Sequence, residues 1–561
     1  MKIIYLTDVH GSFNRIYELL LETVADVYII AGDLIDIPFY NIDTAINYHE
    51  LQTYFNALRR KNEKTGMLLE DFVDELIDDP TTDPGVQTKA YGYQQYTIRA
   101  RRVMQQKYKV LENILSIKNN SEIFVLPGNY DMNLRYTALH ERDLHMQWHE
   151  IEGMRVAGYG GADIWSAGIP ERYIVDYRAG ISIPDRNNEM FSFFKAVKPH
   201  IIVTHQPAHG IHDRITWKGP SGSPALRTYC DSSNVRLCLT GHIHDDWGFT
   251  FSENTVFLNP SNFGEVTTAK GEVAEGGFFH EIIMENSEIR KVHFKKFVNS
   301  NIFSLADYIH TDNSYTEEIA DTERYTALKN GKNFDITAEK YSHIPEIELF
   351  KEIRSFFRQY QTPESENRML ELETILEKIT EEVGDIAFDV AGSLNMGLSS
   401  SSSDIDIIIY MHLKNDCTND CSLSGNYLKA IELLGRYMKD RYKYQVLDVI
   451  NLDVVEKSIR EENYECEVTQ MFVLHRAVCR PVNYRVIAPV EDLLNRNTEF
   501  RKEIEGSARS FLQIFMTTTS HSTSFDKYLT RIKSLGVKIP DSINEKIRLY
   551  LDGGRYKNEK Q

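Results

Sequence analysis

The residues of this chain best equipped for chemistry fall in five clusters: Asp8-Val9-His10, Gly32-Asp33, Gly128-Asn129-Tyr130-Asp131, His205, and Gly241-His242-Ile243-His244. Each follows a short apolar run: Ile3–Thr7, Val27–Ala31, Ile123–Leu126, Ile201–Thr204 and Leu237–Thr240. Runs of this length, rich in aliphatic residues and bounded by Gly or Pro, read as fully buried strands. In layered α/β sheets the ligand site lies at the carboxyl ends of such strands. The pattern is therefore expected to deliver Asp8, Asp33 and Asn129, with His10, His205, His242 and His244, to one edge of a sheet. A lone histidine or a single Asp-x-His would carry little weight. Five clusters, all at strand ends, carry much more.

The ligand types point to two metals rather than one. A structural zinc site wants Cys and His in a closed tetrahedron, and no Cys lies in these clusters. Mixed Asp, Asn and His suit Mn, Fe or Zn. Seven ligands exceed what one tetrahedral ion takes. They suit two ions about 3.5–4 Å apart with a bridging carboxylate, a pair that activates water and clamps the oxygens of a phosphate.

With these motifs, residues 1–299 resemble a calcineurin-like metallophosphoesterase, and Leu258-Asn259-Pro260-Ser261 resembles that family's closing strand. The resemblance implies that Asp8, His10 and His244 hold one ion, that Asn129, His205 and His242 hold the other, and that Asp33 bridges them. One position departs from the pattern. Phosphomonoesterases of the family carry a His where this chain has Tyr130, and that His helps protonate the leaving oxygen. A phenol with a pKa near 10 is a weaker proton donor than an imidazolium. Many relatives with other residues at this place act on diesters or pyrophosphates, so the resemblance favours such substrates. The alternative is that Tyr130 only fills the pocket. Asp131 would buttress its neighbour, and both residues are counted as catalytic candidates.

Residues 39–107 form a long insertion with helical stretches at Tyr48–Arg60 and Thr97–Lys107, interrupted by Asp78, Asp79, Pro80 and Pro84. An insertion after a catalytic strand end is expected to cap the site. A plain surface hairpin is the competing reading.

The second half offers different chemistry. Ile386–Val390 reads as a strand entering Gly392-Ser393, and a second strand opens with Asp404-Ile405-Asp406. Side chains two apart on a strand share a face, so the two carboxylates repel unless a cation sits between them. Such oxygen ligands suit Mg²⁺ together with substrate phosphates. Gly392 allows close backbone approach to a phosphate, and Ser393 offers a hydroxyl and an amide. Gly-Ser, a spacer, then Asp-x-Asp resembles the DNA polymerase beta-like nucleotidyltransferases of the minimal type, over about residues 365–485. The Ser399–Ser403 run could alone be a flexible linker, but it lies between two strong strands. These enzymes use a third carboxylate on a later strand. Asp448, inside Val446–Ile450, is preferred, and Asp453 competes. The resemblance implies transfer of a nucleoside monophosphate from a triphosphate to an acceptor.

Composition bounds the setting. A chain of 561 residues should hold two or three domains. The expected architecture is α/β and multidomain: a metallophosphoesterase β-sandwich flanked by helices (1–299), a linker (300–345), a smaller α+β transferase domain (346–485) and a helical C-terminal segment (486–561). Leu349–Phe357, Arg368–Val383, Glu491–Phe515 and Phe525–Leu551 show helical periodicity, and Gly553-Gly554 reads as a frayed terminus. No apolar run is long enough for a transmembrane helix, and the opening strand leaves no room for a signal peptide. Six cysteines make no disulfide framework, and Cys417-x-x-x-Cys421 has no matching pair for zinc. A reducing cytoplasm is the expectation. A net charge of −19 argues against gripping long nucleic acid. Nucleoside triphosphates and phosphate esters remain the expected partners. Two further readings stay open: a transferase-like module that senses nucleotide without turnover, and a nucleic-acid end-processing enzyme.

Overall fold

A computed structural model describes the chain apart from residues 119, 165–167, 216–217, 268–272, 299–300, 313, 330–343, 414–424, 440, 483–485, 517–518 and 553–561. Cys417, Cys421 and Gly553-Gly554 thus lie outside the described residues. The chain divides into two compact units: residues 1–19, 25–297 and 304–334, and residues 20–24, 298–303 and 335–561.

The first unit is built on two sheets. Strands β1 (Lys2–Thr7), β2 (Val27–Ala31), β3 (Glu122–Leu126), β14 (Phe278–Glu285), β15 (Glu288–Val298), β16 (Asn301–Thr311) and β17 (Ser314–Ile319) run in the order β17-β16-β15-β14-β1-β2-β3. Strands β4 (Trp148–Ile151), β5 (Met154–Tyr159), β6 (Ile201–Thr204), β9 (Leu237–Leu239), β10 (Gly248–Ser252) and β11 (Thr255–Asn259) run in the order β10-β11-β9-β6-β5-β4. Two small ladders pair β7 (Arg214–Ile215) with β8 (Gly219–Pro220) and β12 (Val266–Thr267) with β13 (Val273–Ala274). The sheets face each other. Phe249 of β10 stacks on Tyr308 of β16 with centroids 4.3 Å apart, and the Tyr5 hydroxyl of β1 donates to the Thr240 carbonyl at 2.8 Å.

All five apolar runs are strands, but they belong to two sheets rather than one. β1, β2 and β3 pair in parallel in the first sheet, and β6 and β9 pair in parallel in the second. Face-to-face packing is what brings their carboxyl ends together.

The segment read as a linker from residue 300 is also different. Residues 301–319 form β16 and β17 and widen the first sheet. The alternation that marks a strand is hidden because Asp307 is itself buried, 2.8 Å from His293 and 3.4 Å from Lys291. Glu281 belongs to the same row of charges, pairing with Lys2 at 3.1 Å and Lys295 at 2.8 Å.

In the second unit β18 (Ile386–Val390), β19 (Ile405–Met411), β20 (Tyr444–Asn451) and β21 (Arg480–Pro481) run in the order β20-β19-β18-β21. β18 and β19 are antiparallel, and β19 and β20 parallel. Ile407 and Ile409 pack with Ile375 and Leu433 of the helices Pro363–Val383 and Gly425–Met438. Ile408, Tyr410 and Ile450 face a helical core holding Ile353 and Phe472. The two long C-terminal helices expected from periodicity are four. One breaks at Asn497, and the other breaks across Gly536, held at φ 77°, and Pro540. Among the described residues no helix is long and apolar enough to cross a membrane.

Glu281→Gln tests the buried charge row. Burial works to raise this carboxyl, but Lys2 and Lys295 hold it well below the usual range. Removing it strands buried cations, at about 3 kcal/mol. An acid with a lowered folded pKa contributes stability that is full above its unfolded pKa of about 4.3 and lost as pH falls. Urea unfolding should show the gap between parent and variant at pH 7 and its closing in acid.

Candidate active site

Four of the seven proposed ligands occupy left-handed backbone: Asp8 (φ 55°), His10 (φ 43°), Asp33 (φ 41°) and His242 (φ 69°). Such conformations cost about 1–3 kcal/mol each for residues with a side chain and persist where the surroundings impose them. Here the imposition is the sharp exit from each strand. Gly32 shows how tight it is, since a Cβ on it would lie 1.9 Å from His205 Nδ1.

The ligand atoms gather in two groups, each within 4.8 Å: Asp8, His10 and His244, and Asp33, His205 and His242. His244 Nε2 lies 3.0 Å from Asp8 Oδ1, and His205 Nε2 lies 3.4 Å from Asp33 Oδ2 and 3.1 Å from Asn129 Oδ1. The groups adjoin, because the His242 amide donates to Asp8 Oδ2 at 3.0 Å. Burial raises Asp8, yet His244 and His205 more than offset this and hold it far below the ordinary range. Burial lowers His205, but Asp33 and then Asp8 push it up to about 9. Burial, with His205 beside it, takes His242 down to about 4. The donor set fits a pair of cations. His10 Nε2 and His205 Nδ1 are buried without hydrogen-bond partners among the described residues, and mixed imidazole and carboxylate donors suit divalent transition ions.

Tyr130 and Asp131 behave differently from one another. The Tyr130 amide donates to Asp33 Oδ1 at 2.8 Å, while its ring stays 40 % exposed. Burial and then Asp33 raise the phenol's pKa, which weakens it further as an acid. Asp131, expected to buttress the side chain beside it, instead locks backbone. Its oxygens accept from Leu34 N at 3.0 and 3.1 Å, from Gly128 N at 2.8 Å and from the Tyr108 hydroxyl at 2.9 Å. Fully buried, it holds the backbone just after β2 and β3. Burial, then Asp33, pushes its carboxyl up to about 7.

The insertion forms three helices, Ile42–Lys61, Leu69–Asp78 and Pro84–Leu115, and Tyr108 lies on the last, which runs past the expected end at residue 107. They fasten the loop after β5. Gln52 bonds Gly168 and Ile169, Arg59 pairs with Glu171 at 2.8 Å, and Glu70 accepts the Glu171 amide at 2.8 Å. Nothing in the sequence marks Tyr108 as a partner of Asp131.

In the second unit Gly392 leaves β18 at φ 60°, and a Cβ there would sit 2.2 Å from Asp406 Oδ2. Only glycine admits that carboxylate. Burial and then Asp404 raise Asp406. Ser393 Oγ is 3.3 Å from Ser399 Oγ. The serine run is held in place: Arg531 bonds Ser400 and Ser403 hydroxyls at 3.1 and 3.0 Å, and Arg368 bonds the Ser403 carbonyl at 2.7 Å. A register shift after Ile407 aligns Asp448 with Ile408. Neighbours in parallel strands share a face, so Asp448 falls on the face of Asp406. It accepts from His475 Nε2 at 2.9 Å, which outweighs burial and lowers its pKa. Asp453 lies in the first turn of the helix Leu452–Arg460, paired with His412 at 2.8 Å. Asp404, Asp406 and Asp448 do not close to the 4.8 Å seen in the first unit.

Comparison with known proteins fits this division. The calcineurin-like phosphoesterase family matches residues 43–246. An uncharacterized protein, MJ1162, of Methanocaldococcus jannaschii is 24 % identical over 160 residues, which is 27 % of this chain and 70 % of that protein. Among solved structures, TT1561 of Thermus thermophilus is similar at 12 % identity and a TM-score of 0.28, over 52 % of this chain and 96 % of that one. A dimetal phosphatase from Danio rerio is similar at 11 % and 0.32, over 54 % and 98 %. Residues 43–246 thus match the calcineurin-like phosphoesterase family. That family consists of metal-dependent hydrolases using two divalent ions, and the two ligand groups are candidate sites for such a pair.

Tyr108→Phe isolates the positioning network. It strips Asp131 of a donor and leaves the buried Met132 amide, 2.9 Å from that hydroxyl, without an acceptor. Second-layer losses of this kind lower metal affinity roughly ten- to hundredfold. Calorimetric titration with Mn²⁺ should show it, with thermal stability falling by the equivalent of about 1–3 kcal/mol.

Proposed function

We propose that the chain joins two phosphorus chemistries: a dimetal phosphoesterase acting on diesters or pyrophosphates, and a Mg²⁺-dependent nucleotidyltransferase that moves a nucleoside monophosphate from a triphosphate to an acceptor. The observation that carries the first half is the pair of three-ligand groups at converging strand ends. Asp8, His10 and His244 would hold one ion; His205, His242 and Asn129 would hold the other, with Asp33 shared; Mn, Fe or Zn suits them. Two bound ions supply Lewis acidity and a lowered pKa for water. The protein's share is orientation: Asp131 fixes the Asp33 and Asn129 loops. Tyr130 offers the departing oxygen little acid help, so good leaving groups are favoured.

For the second half, support comes from Gly392 packed on Asp406, the held serine run, and Asp448 on the same face. Asp404 and Asp406 would hold Mg²⁺ and the triphosphate, and Gly392 and Ser393 would meet its phosphates. A nucleotide-sensing role without turnover also has an observation behind it. Asp448 is engaged by His475, and the three carboxylates stand apart.

Two sets of variants test these readings. Asp33→Asn should abolish phosphoesterase activity and release at least one ion, because a neutral amide cannot span two cations, while nucleotide transfer survives. In the parent, alkyl phosphomonoesters should be slow against bis(p-nitrophenyl) phosphate, and Tyr130→His should raise the monoesterase share.

Asp404→Ala and Asp406→Ala should each remove transfer by several powers of ten, since such metal terms contribute several kcal/mol. Asp448→Asn should keep binding of a non-hydrolysable triphosphate and lose turnover, and Asp453→Asn should be mild. Label transfer from ATP, CTP, GTP or UTP supports the enzyme. Binding without transfer supports the sensor.

A further inference from the structure

A cavity of about 900 Å³ opens beside Gly128 and Asn129. Small-molecule sites run from about 300 to 1,000 Å³, so this space takes an organic group well beyond a single phosphate. One wall is built from the chain that follows the metal loop: Asn133, Arg135, Asp143 and His145.

Most other charges lining the cavity are already engaged, and Asp163 accepts the Ile181 amide at 2.6 Å. Glu171 serves Arg59 and the Leu69 amide, Arg172 pairs with Asp71, Arg178 with Asp176, and Glu189 accepts from Tyr159. Arg135 is different. It is exposed, its guanidinium carbon lies 4.5 Å from the Tyr136 ring centroid with Nη2 donating to the Tyr136 hydroxyl, and among the described residues it forms no ion pair with a carboxylate. His145 stands near it, partly buried against Tyr159 with ring centroids 5.2 Å apart. Its Nδ1 accepts the Gly160 amide at 3.0 Å, which places the ring proton on Nε2 as a donor. Burial, and then Arg135, takes this imidazole down to about 4, so it is neutral at pH 7. Burial pushes the Asp143 carboxyl up to about 7, so it opposes an anion with only part of a charge. A planar guanidinium beside an imidazole N–H is a donor set matched to phosphoryl oxygens.

We propose that Arg135 and His145 bind the second, unattacked phosphoryl group of an organic diphosphate, making the substrate of the first unit a phosphoanhydride joining two organic groups. This rests on the dimetal reading above. In the reaction the oxygen of water bonds to the phosphorus held at Asp33 and Asn129. The bond from that phosphorus to the bridging oxygen breaks, and two phosphomonoesters and two protons are released. The departing group is itself a phosphate, which leaves without the imidazole acid that Tyr130 replaces.

The test compares diadenosine diphosphate, two adenosines joined through a pyrophosphate, with bis(p-nitrophenyl) phosphate, using the full chain with Mn²⁺. Arg135→Ala should raise KM for the diphosphate roughly ten- to hundredfold with kcat changed less than about threefold, and leave the activated diester within about twofold. Arg135→Lys should recover part of the loss, since it restores charge without the fork. An unchanged KM for the diphosphate, or equal losses on both substrates, overturns the proposal. A parent enzyme that cleaves the diester but not the diphosphate overturns it and leaves the dimetal reading standing. A parent inert to both removes that reading and the proposal with it.

Discussion

The first unit depends on one electrostatic constraint: Asp8 and Asp33, at 0 % and 3 % exposure, are buried beside each other. Burial penalises both charges, and Asp8 adds to the penalty on Asp33. Two like charges in such a place are tolerable only with strong compensation. The imidazoles of His205 and His244 provide most of it among the residues present, and a pair of divalent cations would complete it. Strain at Asp8, His10, Asp33 and His242 follows from the same demand. Strand ends must turn abruptly if seven donors from two sheets are to face a common point.

The second unit answers a related constraint more openly. Asp404 and Asp406 lie at the start of β19, one exposed and one partly buried, so water shares the cost of their proximity. One fully buried carboxylate there is Asp389, which pairs with Arg476 and accepts from the Tyr410 hydroxyl. Asp404 and Asp406, by contrast, stand beside a glycine turn without such a partner of opposite charge among the described residues.

What was legible in the sequence follows from how local each signal is. A buried strand and the metal ligands just past its end lie within a dozen residues, so β1, β2, β3, β6 and β9 and their clusters could be found without knowing the sheets. The division into two sheets could not, because it depends on pairing between strands far apart in the chain. β16 and β17 were hidden for another reason: Asp307 and its partners put charge where a strand pattern expects an apolar residue. Gly536 and Pro540 did mark a break that periodicity ran across, and Asn497 marked a second. Tyr108 and His475 carried no signal at all. Their positions matter through Asp131 and Asp448, neither of which is near them in sequence.

The insertion shows how such distant residues gain influence over chemistry. Its helices carry their own apolar core around Tyr48, Phe55, Phe72 and Tyr93, so they could persist as an ornament. Two connections argue against that role. Tyr108 supplies the one side-chain hydroxyl that Asp131 accepts among the described residues, and Arg59 and Glu70 both hold the chain at Glu171. One connection stabilises the loops that present Asp33 and Asn129, and the other fixes a wall of the cavity beside them. Ligand geometry and pocket shape thus answer to the same three helices. A substitution that loosened those helices should disturb ion binding and substrate selection together, whereas a change confined to the cavity wall should disturb selection alone.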